Sequence, residues 1–438
     1  MLNSNSNTYR SYIIVFLITS LLYAGIFHIF PENDVFRLLQ KAYGAKENYA
    51  KEVFKPITSD GVFTFFNVCL EPLPTPSTVN IHEISFTVTQ RIVIYDRSQS
   101  RLGNHRLSIA GPPGHPWNYF DVYFTNESLP IDNRTLSDSV AYFVSPRCPG
   151  NLHHFFQEEY IPLYSVIRLT NRLHPGSGNL VIYNTPKTNH NPFCRNFSTY
   201  NEIVRTLFTN GFHDVYYNVP SNTCFKNAVF GSRIELNNSR DIVDHIINQY
   251  NLSDTCVKKA EFITLIYRKE RRIINMEDLR RWVLDAGFKR EFVRVIDFDN
   301  LPIRKQIELA CTSQVMIGIN GAALQWSIFM PEKSHMVEMS WPSRSWDFFF
   351  PLHIPKFGIS YHSVELKDVR VNWTSFEFRI RNGGKVSDDE RQRMLKSPPQ
   401  DLWKWSDGFI HEDEVNETLL VIFNSILNST SFNAVTVV

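Results

Sequence analysis

Four short stretches hold the side chains that could do chemistry. The first, "NLHHFFQEEYIPLY", places His153, His154, Glu158 and Glu159 on an aromatic helical pattern. His154 and Glu158 are four apart, a spacing that puts two side chains on one face of an α-helix. Glu159 is rotated from that face by about 100°. A carboxylate beside a half-buried imidazole can take a proton from a hydroxyl. An H-x-x-x-E pair can also begin a metal site, but no third ligand stands near it in sequence. A core-facing helix with satisfied polar groups accounts for the same residues.

The second stretch, "YRKERRIIN", crowds Arg268, Lys269, Arg271 and Arg272 just past an apolar run. Guanidinium forks suit a diphosphate; taken alone, a solvated basic turn explains them as well. The third, "IDFDN", holds Asp297 and Asp299. A D-x-D can share a divalent cation with a diphosphate. Here it also opens a helical pattern, where acids favour the N-terminus, and that structural role is the preferred one. The fourth, "SQVMIGINGAALQWSIFMPEKSHMVEM", breaks an apolar run at Asn320-Gly321-Ala322-Ala323 and sets Glu338 inside the next one. Small residues there let backbone approach a ligand, and a helix N-terminus after them suits a phosphate; a tight turn needing small residues for packing fits equally. No G-x-S-x-G, Walker loop or H-E-x-x-H occurs, so hydrolase and NTPase chemistry lack residues to carry them.

The elements that must position these groups are legible in the second half. "EFITLIY", "FVRVIDF", "QVMIGI" and "HMVEMS" read as strands. Between them, "NMEDLRRWVLDAG", "PIRKQIELACTS" and "AALQWSIFM" read as helices, with Pro302 in a first turn and Gly287 ending a last one. Strands alternating with amphipathic helices predict βαβ units, a parallel sheet, and ligands at the carboxyl ends of its strands. From Phe63 to about Val144, runs such as "ISFTVTQRIVIY" alternate with turns such as "GPPGHP", a β-rich pattern.

The chain has 438 residues, 43% hydrophobic and 14% aromatic, with formal net charge +1. That is enough for two or three domains with large cores, and gives no reason to expect nucleic acid as a partner. Ser11 to Phe30 contains no Asp, Glu, Lys or Arg, and about 20 apolar residues span a bilayer. Arg10 before it, and Glu32 and Asp34 after it, orient the N-terminus to the cytoplasm; the alternative is a cleaved signal peptide. The expected organisation is a tail 1–10, a membrane helix 11–30, a stem 31–60, domains 61–255 and 256–405, and a tail with a helix at 406–438. Six cysteines without a CxxC pair permit up to three disulfides in an oxidising lumen, with buried thiols the alternative for Cys311. Eight sequons, beginning at Asn126, Asn133, Asn196, Asn237, Asn251, Asn372, Asn416 and Asn428, point to the same compartment.

Taken in order, the segments resemble glycosyltransferase family 61 over roughly residues 62–400. Asn151, His154 and Phe156 match its N-x-x-H-x-F-x-D segment, with Glu158 where the family has Asp. Arg268, Arg271, Arg272 and Asn275 match its arginine-rich segment. Gly321, Ala322, Leu324, Phe329, Pro331 and Glu338 match its H-G-A-x-L…F-L-P…V-x-E-L segment, with Asn320 in place of His. The likeness is to the members that add GlcNAc to protein O-mannose or to EGF domains; other members use UDP-xylose or UDP-arabinose. The resemblance implies an α/β fold of GT-B type with two facing Rossmann-like domains. It also implies a single-pass type II protein of the endoplasmic reticulum or Golgi membrane, and inverting transfer from a UDP-sugar, UDP-GlcNAc first, to a glycoprotein or glycan. Glu158 and His154 would be catalytic. Arg268, Arg271, Arg272, Asn320, Gly321, Ala322 and Glu338 would bind the donor, with Asn151 and Arg147 on the acceptor side. No cofactor and no essential divalent metal are expected. A UDP-xylose enzyme and a non-catalytic glycan-binding relative are the alternatives.

Overall fold

The computed structural model describes residues 63–81, 84–95, 104–108, 119–125, 127, 136–144, 151–173, 179–183, 200–207, 215–216, 223–230, 239–257, 260–341, 349–380, 384–396, 402 and 406–428. The expected membrane segment 11–30, the stem and Arg147 lie outside them. Among the described residues no helix is long and apolar enough to cross a membrane. The strands are β1 (Phe63–Ile81), β2 (Ile84–Tyr95), β3 (Asn104–Ser108), β4 (Tyr119–Thr125), β5 (Leu136–Val144), β6 (Asn179–Tyr183), β7 (Val215–Tyr216) and β8 (Thr223–Phe230). They are followed by β9 (Phe262–Ile266), β10 (Val293–Ile296), β11 (Ser313–Ile319), β12 (His335–Ser340), β13 (Ser360–Glu365), β14 (Asp368–Val371) and β15 (Ser406–Phe409).

Contacts divide the chain into two compact units. In the first, the order β3-β4-β2-β1-β8-β5 forms a mixed sheet rather than the parallel sheet of a Rossmann unit. The physical reason is the short connection between β1 and β2. Two residues allow an antiparallel return, whereas a parallel neighbour needs a crossover of a dozen or more. β1 runs antiparallel to both β2 and β8, while β2–β4 and β5–β8 are parallel. Cys69 and Cys224 face each other across β1 and β8 and are joined by a disulfide. Phe65, Phe124, Phe143 and Phe230 pack their rings in the core, Phe143 stacking on Phe230 at 4.5 Å.

The second unit comprises Pro146–Val181, Pro186–Tyr217 and Ile234–Val438. The helix bearing His154 and Glu158 therefore shares a unit with the arginine-rich segment, whereas the sequence division placed it in a domain 61–255. The sheet here is wholly parallel, in the order β10-β9-β11-β12-β13. Ile263, Leu265, Ile317, Ile319, Val337 and Met339 line one face. Leu279 and Val283 of helix Met276–Asp285 cover it, together with Val415, Leu419, Ile422 and Ile426 of helix Glu412–Asn428. Such i, i+4, i+7 spacing is the apolar stripe of a helix lying on a core. Gly287, at φ 105°, stops the first of these helices.

Two expectations are resolved locally. Cys311 is no free thiol: it is bonded to Cys256, joining helix Ser253–Val257 to the end of helix Ile303–Cys311. The segment Ala322–Phe329 is a 3₁₀-helix, not an α-helix, closed by i→i+3 bonds from Leu324 N–H to Gly321 O and from Met330 N–H to Ser327 O. All side chains from Leu324 to Phe329 are buried, so packing rather than amphipathic propensity sets its geometry.

At the amino edge of this sheet, His335 Nδ1 and His362 Nε2 lie 3.1 Å apart. Burial, and then His362, push the His335 pKa down to about 4; burial also lowers that of His362. The folded state thus refuses protons that the unfolded chain accepts below its ordinary histidine pKa. Stability is full above about pH 6.5 and falls as pH drops towards 4. His335 alone contributes about 3 kcal/mol of that fall. Urea unfolding across pH 4–7 reads it, and His335→Gln flattens the slope.

Candidate active site

The strand order fixes where a ligand crevice opens. From β9 the chain crosses to β10 on one side, then returns to β11 on the other. The switch point lies between β9 and β11, where open parallel sheets place their ligands beyond the carboxyl ends. The loop leaving β9 carries Arg268 and Arg271, and the turn leaving β11 is Asn320-Gly321. Two segments about fifty residues apart in sequence therefore meet.

They meet closely. A Cβ built on Gly321 would lie 2.0 Å from Arg268 Nη1 and 3.1 Å from Arg271 Nη2. Gly321 also sits at φ 153°, ψ 177°, a conformation costly for any other residue. Small size at this turn thus serves the approach of two guanidinium groups. Arg271 itself adopts φ 53°, the left-handed region that non-glycine residues enter rarely. Arg268 Nη1 is buried and finds no acceptor among the described residues. Burial lowers the Arg268 pKa, opposed by Asp299, Glu270 and Asp297. A half-buried cation with its Nη1 turned inward is an arrangement suited to an anion.

Arg272 and Asn275 are bonded to the segment 407–410. Arg272 donates Nε to Asp407 Oδ2 at 3.0 Å, and its backbone N–H donates to Asp407 Oδ1 at 3.0 Å. Asn275 donates Nδ2 to Ile410 O at 2.8 Å and accepts from Ile410 N–H at 3.0 Å. These bonds anchor the loop. In "IDFDN", Asp297 Oδ1 accepts from Asp299 N–H at 3.0 Å, and Phe298 stacks on Trp326 at 6.3 Å. Among the described residues no cluster of three His, Cys, Asp or Glu could hold a metal.

Glu338 is fully buried on β12, opposite Gly318 of β11. It accepts hydrogen bonds from Asn320 Nδ2 and, at 2.6 Å, from the Tyr361 hydroxyl. Both carboxyl oxygens of Glu338 thus have a donor, which offsets the burial of the acid. Asn320, standing in the position of the expected His, is thus oriented by Glu338. Ala322 is half-buried at the start of the 3₁₀-helix.

Asn151 caps its helix, its Oδ1 accepting from His153 N–H at 3.0 Å and His154 N–H at 3.5 Å. The helix is α over Leu152–His154, π over Phe155–Tyr160 and α again over Ile161–Leu173. The α-helical rotation behind the expected shared face of His154 and Glu158 does not apply across this π turn. Single π turns are frequent at functional sites. The side chains of Glu158 and Glu159 lie outside the described residues. Phe156 packs against Trp326 at 6.1 Å and Phe329 at 5.6 Å, so this helix rests on the 3₁₀ segment that follows Gly321. Tyr200 stacks on Phe155 at 4.9 Å; burial, and then Asp299, raise its pKa.

Tyr361 and Asp407 were missed in the sequence. Neither belongs to a motif, and each meets its partner only through strand order. Gly321→Ala should cost about 1–3 kcal/mol through backbone strain alone, with displacement of Arg268 added. Chemical denaturation compares it with Ala322→Gly, which meets no such constraint; equal midpoints would show that the turn relaxes.

No curated protein matches the chain. A family model does, over the π-turn helix, the arginine loop and the Gly321 turn, a narrower span than the resemblance in sequence covered. Residues 144–337 match the family described as Glycosyltransferase 61.

Proposed function

We propose that the protein is an inverting glycosyltransferase that uses a UDP-sugar, UDP-GlcNAc first, and transfers to a hydroxyl of a glycoprotein or glycan. The family match supports glycosyltransferase activity. The observation that carries the donor assignment is the convergence of Arg268 and Arg271 on Gly321 at the switch point. In inverting transfer, a base removes the acceptor proton as the C1–O bond to the diphosphate breaks. Charge develops on the leaving UDP, and preorganised cations stabilise it there. Arg268 and Arg271 take that role in this reading. Glu158 is the base and His154 its orienting neighbour. Asn320 donates towards the diphosphate, held by Glu338. Asn151 and Arg147 belong to the acceptor side, and a GT-B type fold is part of the same proposal. A divalent metal is not needed, since two guanidinium groups supply positive charge and Asp297 already accepts a backbone N–H.

The disulfides and the family together suggest the secretory pathway. Within it we propose a type II orientation at the endoplasmic reticulum or Golgi membrane. Two alternatives keep a footing. UDP-xylose is the donor if the pocket lacks room for the N-acetyl group. A glycan-binding protein without turnover follows if Asn320 and Glu158 fail to replace the family's His and Asp.

UDP release from UDP-GlcNAc and UDP-xylose, with glycoprotein acceptors, separates these three. Arg268→Ala should weaken UDP binding by about 1.5–3 kcal/mol, measured by calorimetry on folded protein; unchanged affinity removes it from the donor site. Glu158→Gln should abolish transfer while UDP binding survives, Glu159→Gln should be far milder, and Glu158→Asp should retain partial activity. Turnover of Glu158→Gln near the parent rate assigns the base elsewhere. Activity should persist in EDTA; loss restored by manganese, and absent in Asp299→Ala, would overturn the metal-free mechanism.

A further inference from the structure

The donor loop is held by a segment outside the matched family span. Arg272 is bonded twice to Asp407, and Asn275 twice to Ile410. Between these ties the backbones pair, Gly408 N–H to Arg272 O at 2.9 Å and Ile274 N–H to Gly408 O at 2.8 Å. Six hydrogen bonds therefore join residues 272–275 to 407–410. The same segment presses on the other half of the site. A Cβ on Gly408 would lie 3.2 Å from Ile319 Cδ1 and 2.5 Å from Leu366 Cδ1. Ile319 directly precedes Asn320-Gly321. One four-residue stretch thus touches both the loop that carries Arg268 and Arg271 and the strand end that leads into Gly321.

We propose that Asp407–Ile410 is a positioning clasp for the donor site, acting through Arg272, Asn275 and Ile319 and touching no substrate itself. The left-handed backbone at Arg271 explains the need. A loop holding an unfavourable conformation and two neighbouring cations relaxes unless its far side is fixed. Asp407 supplies both an acceptor for the backbone and a counter-charge; Gly408 permits the approach. The clasp rests on the diphosphate assignment of Arg268 and Arg271.

The test measures UDP affinity, donor and acceptor KM, and melting temperature for the full chain and its variants. Asp407→Asn keeps an acceptor for the Arg272 N–H and removes the charge. If the competent loop falls to about a fifth of molecules, apparent UDP Kd rises about fivefold, with donor KM following and acceptor KM unchanged. Gly408→Ala should produce a larger rise. Arg272→Gln combined with Asp407→Asn should be no weaker than the weaker single variant, because both act through one contact. A purely structural role lowers the melting temperature and leaves UDP affinity of the folded protein at the parent value, which overturns the clasp. Direct contact of Arg272 with UDP would instead make Asp407→Asn bind as tightly or tighter, and that also overturns it. Arg268→Ala runs in parallel. If it weakens UDP binding while Asp407→Asn and Gly408→Ala match the parent, only the clasp falls. If the parent binds no UDP, the donor assignment falls with it.

Discussion

The site depends on two guanidinium groups packed against a residue that has no side chain. Arg268 comes so close to Gly321 that a single added carbon would overlap it. Bringing two like charges together is unfavourable, and partly removing a cation from water adds to that cost. The surrounding structure offsets this in part. Asp299, Glu270 and Asp297 act electrostatically on Arg268, and Arg272, the third arginine, is drawn off by Asp407. What remains is a partly desolvated notch at the carboxyl edge of a parallel sheet, lined by two guanidinium groups. In the proposed reading a diphosphate accepts from Arg268 Nη1, and a preorganised cation of this kind stabilises it without reorganising.

The neighbouring buried acid follows the same logic in reverse. Glu338 lies inside the sheet, where an uncompensated carboxylate would be strongly unfavourable. Asn320 and Tyr361 satisfy it. The Asn at a position where a His was expected is therefore an orienting partner of the acid. It keeps a donor at the turn without a titratable proton.

The third structural theme is that residues far apart in sequence share one scaffold. The π-turn helix leans on the 3₁₀ segment through Phe156, Trp326 and Phe329. That segment begins at Gly321, while its Leu324 side chain packs within reach of Gly318. The C-terminal helix Glu412–Asn428 closes the opposite face of the same sheet.

The sequence by itself determined the local elements of the second unit. Strand and helix periods, Pro302 and Gly287 are properties of short windows, and β9 to β12 lie where those patterns put them. It also singled out Arg268, Arg271 and Gly321 by residue type. It could not say that these three touch, because contact follows from the order β10-β9-β11, which no window encodes. Nor could it separate Arg271 from Arg272. Two adjacent arginines look alike until Asp407, over a hundred residues away, takes one of them. The 3₁₀ geometry after Gly321 and the π turn before Tyr160 escaped for a related reason. Both lie among buried aromatic neighbours, Phe156 against Trp326 and Phe329, which no window of sequence encodes. The mixed sheet of the first unit was legible only as β-rich sequence. Strand direction depends on which hydrogen-bonding edges meet, and that is decided by the tertiary structure alone.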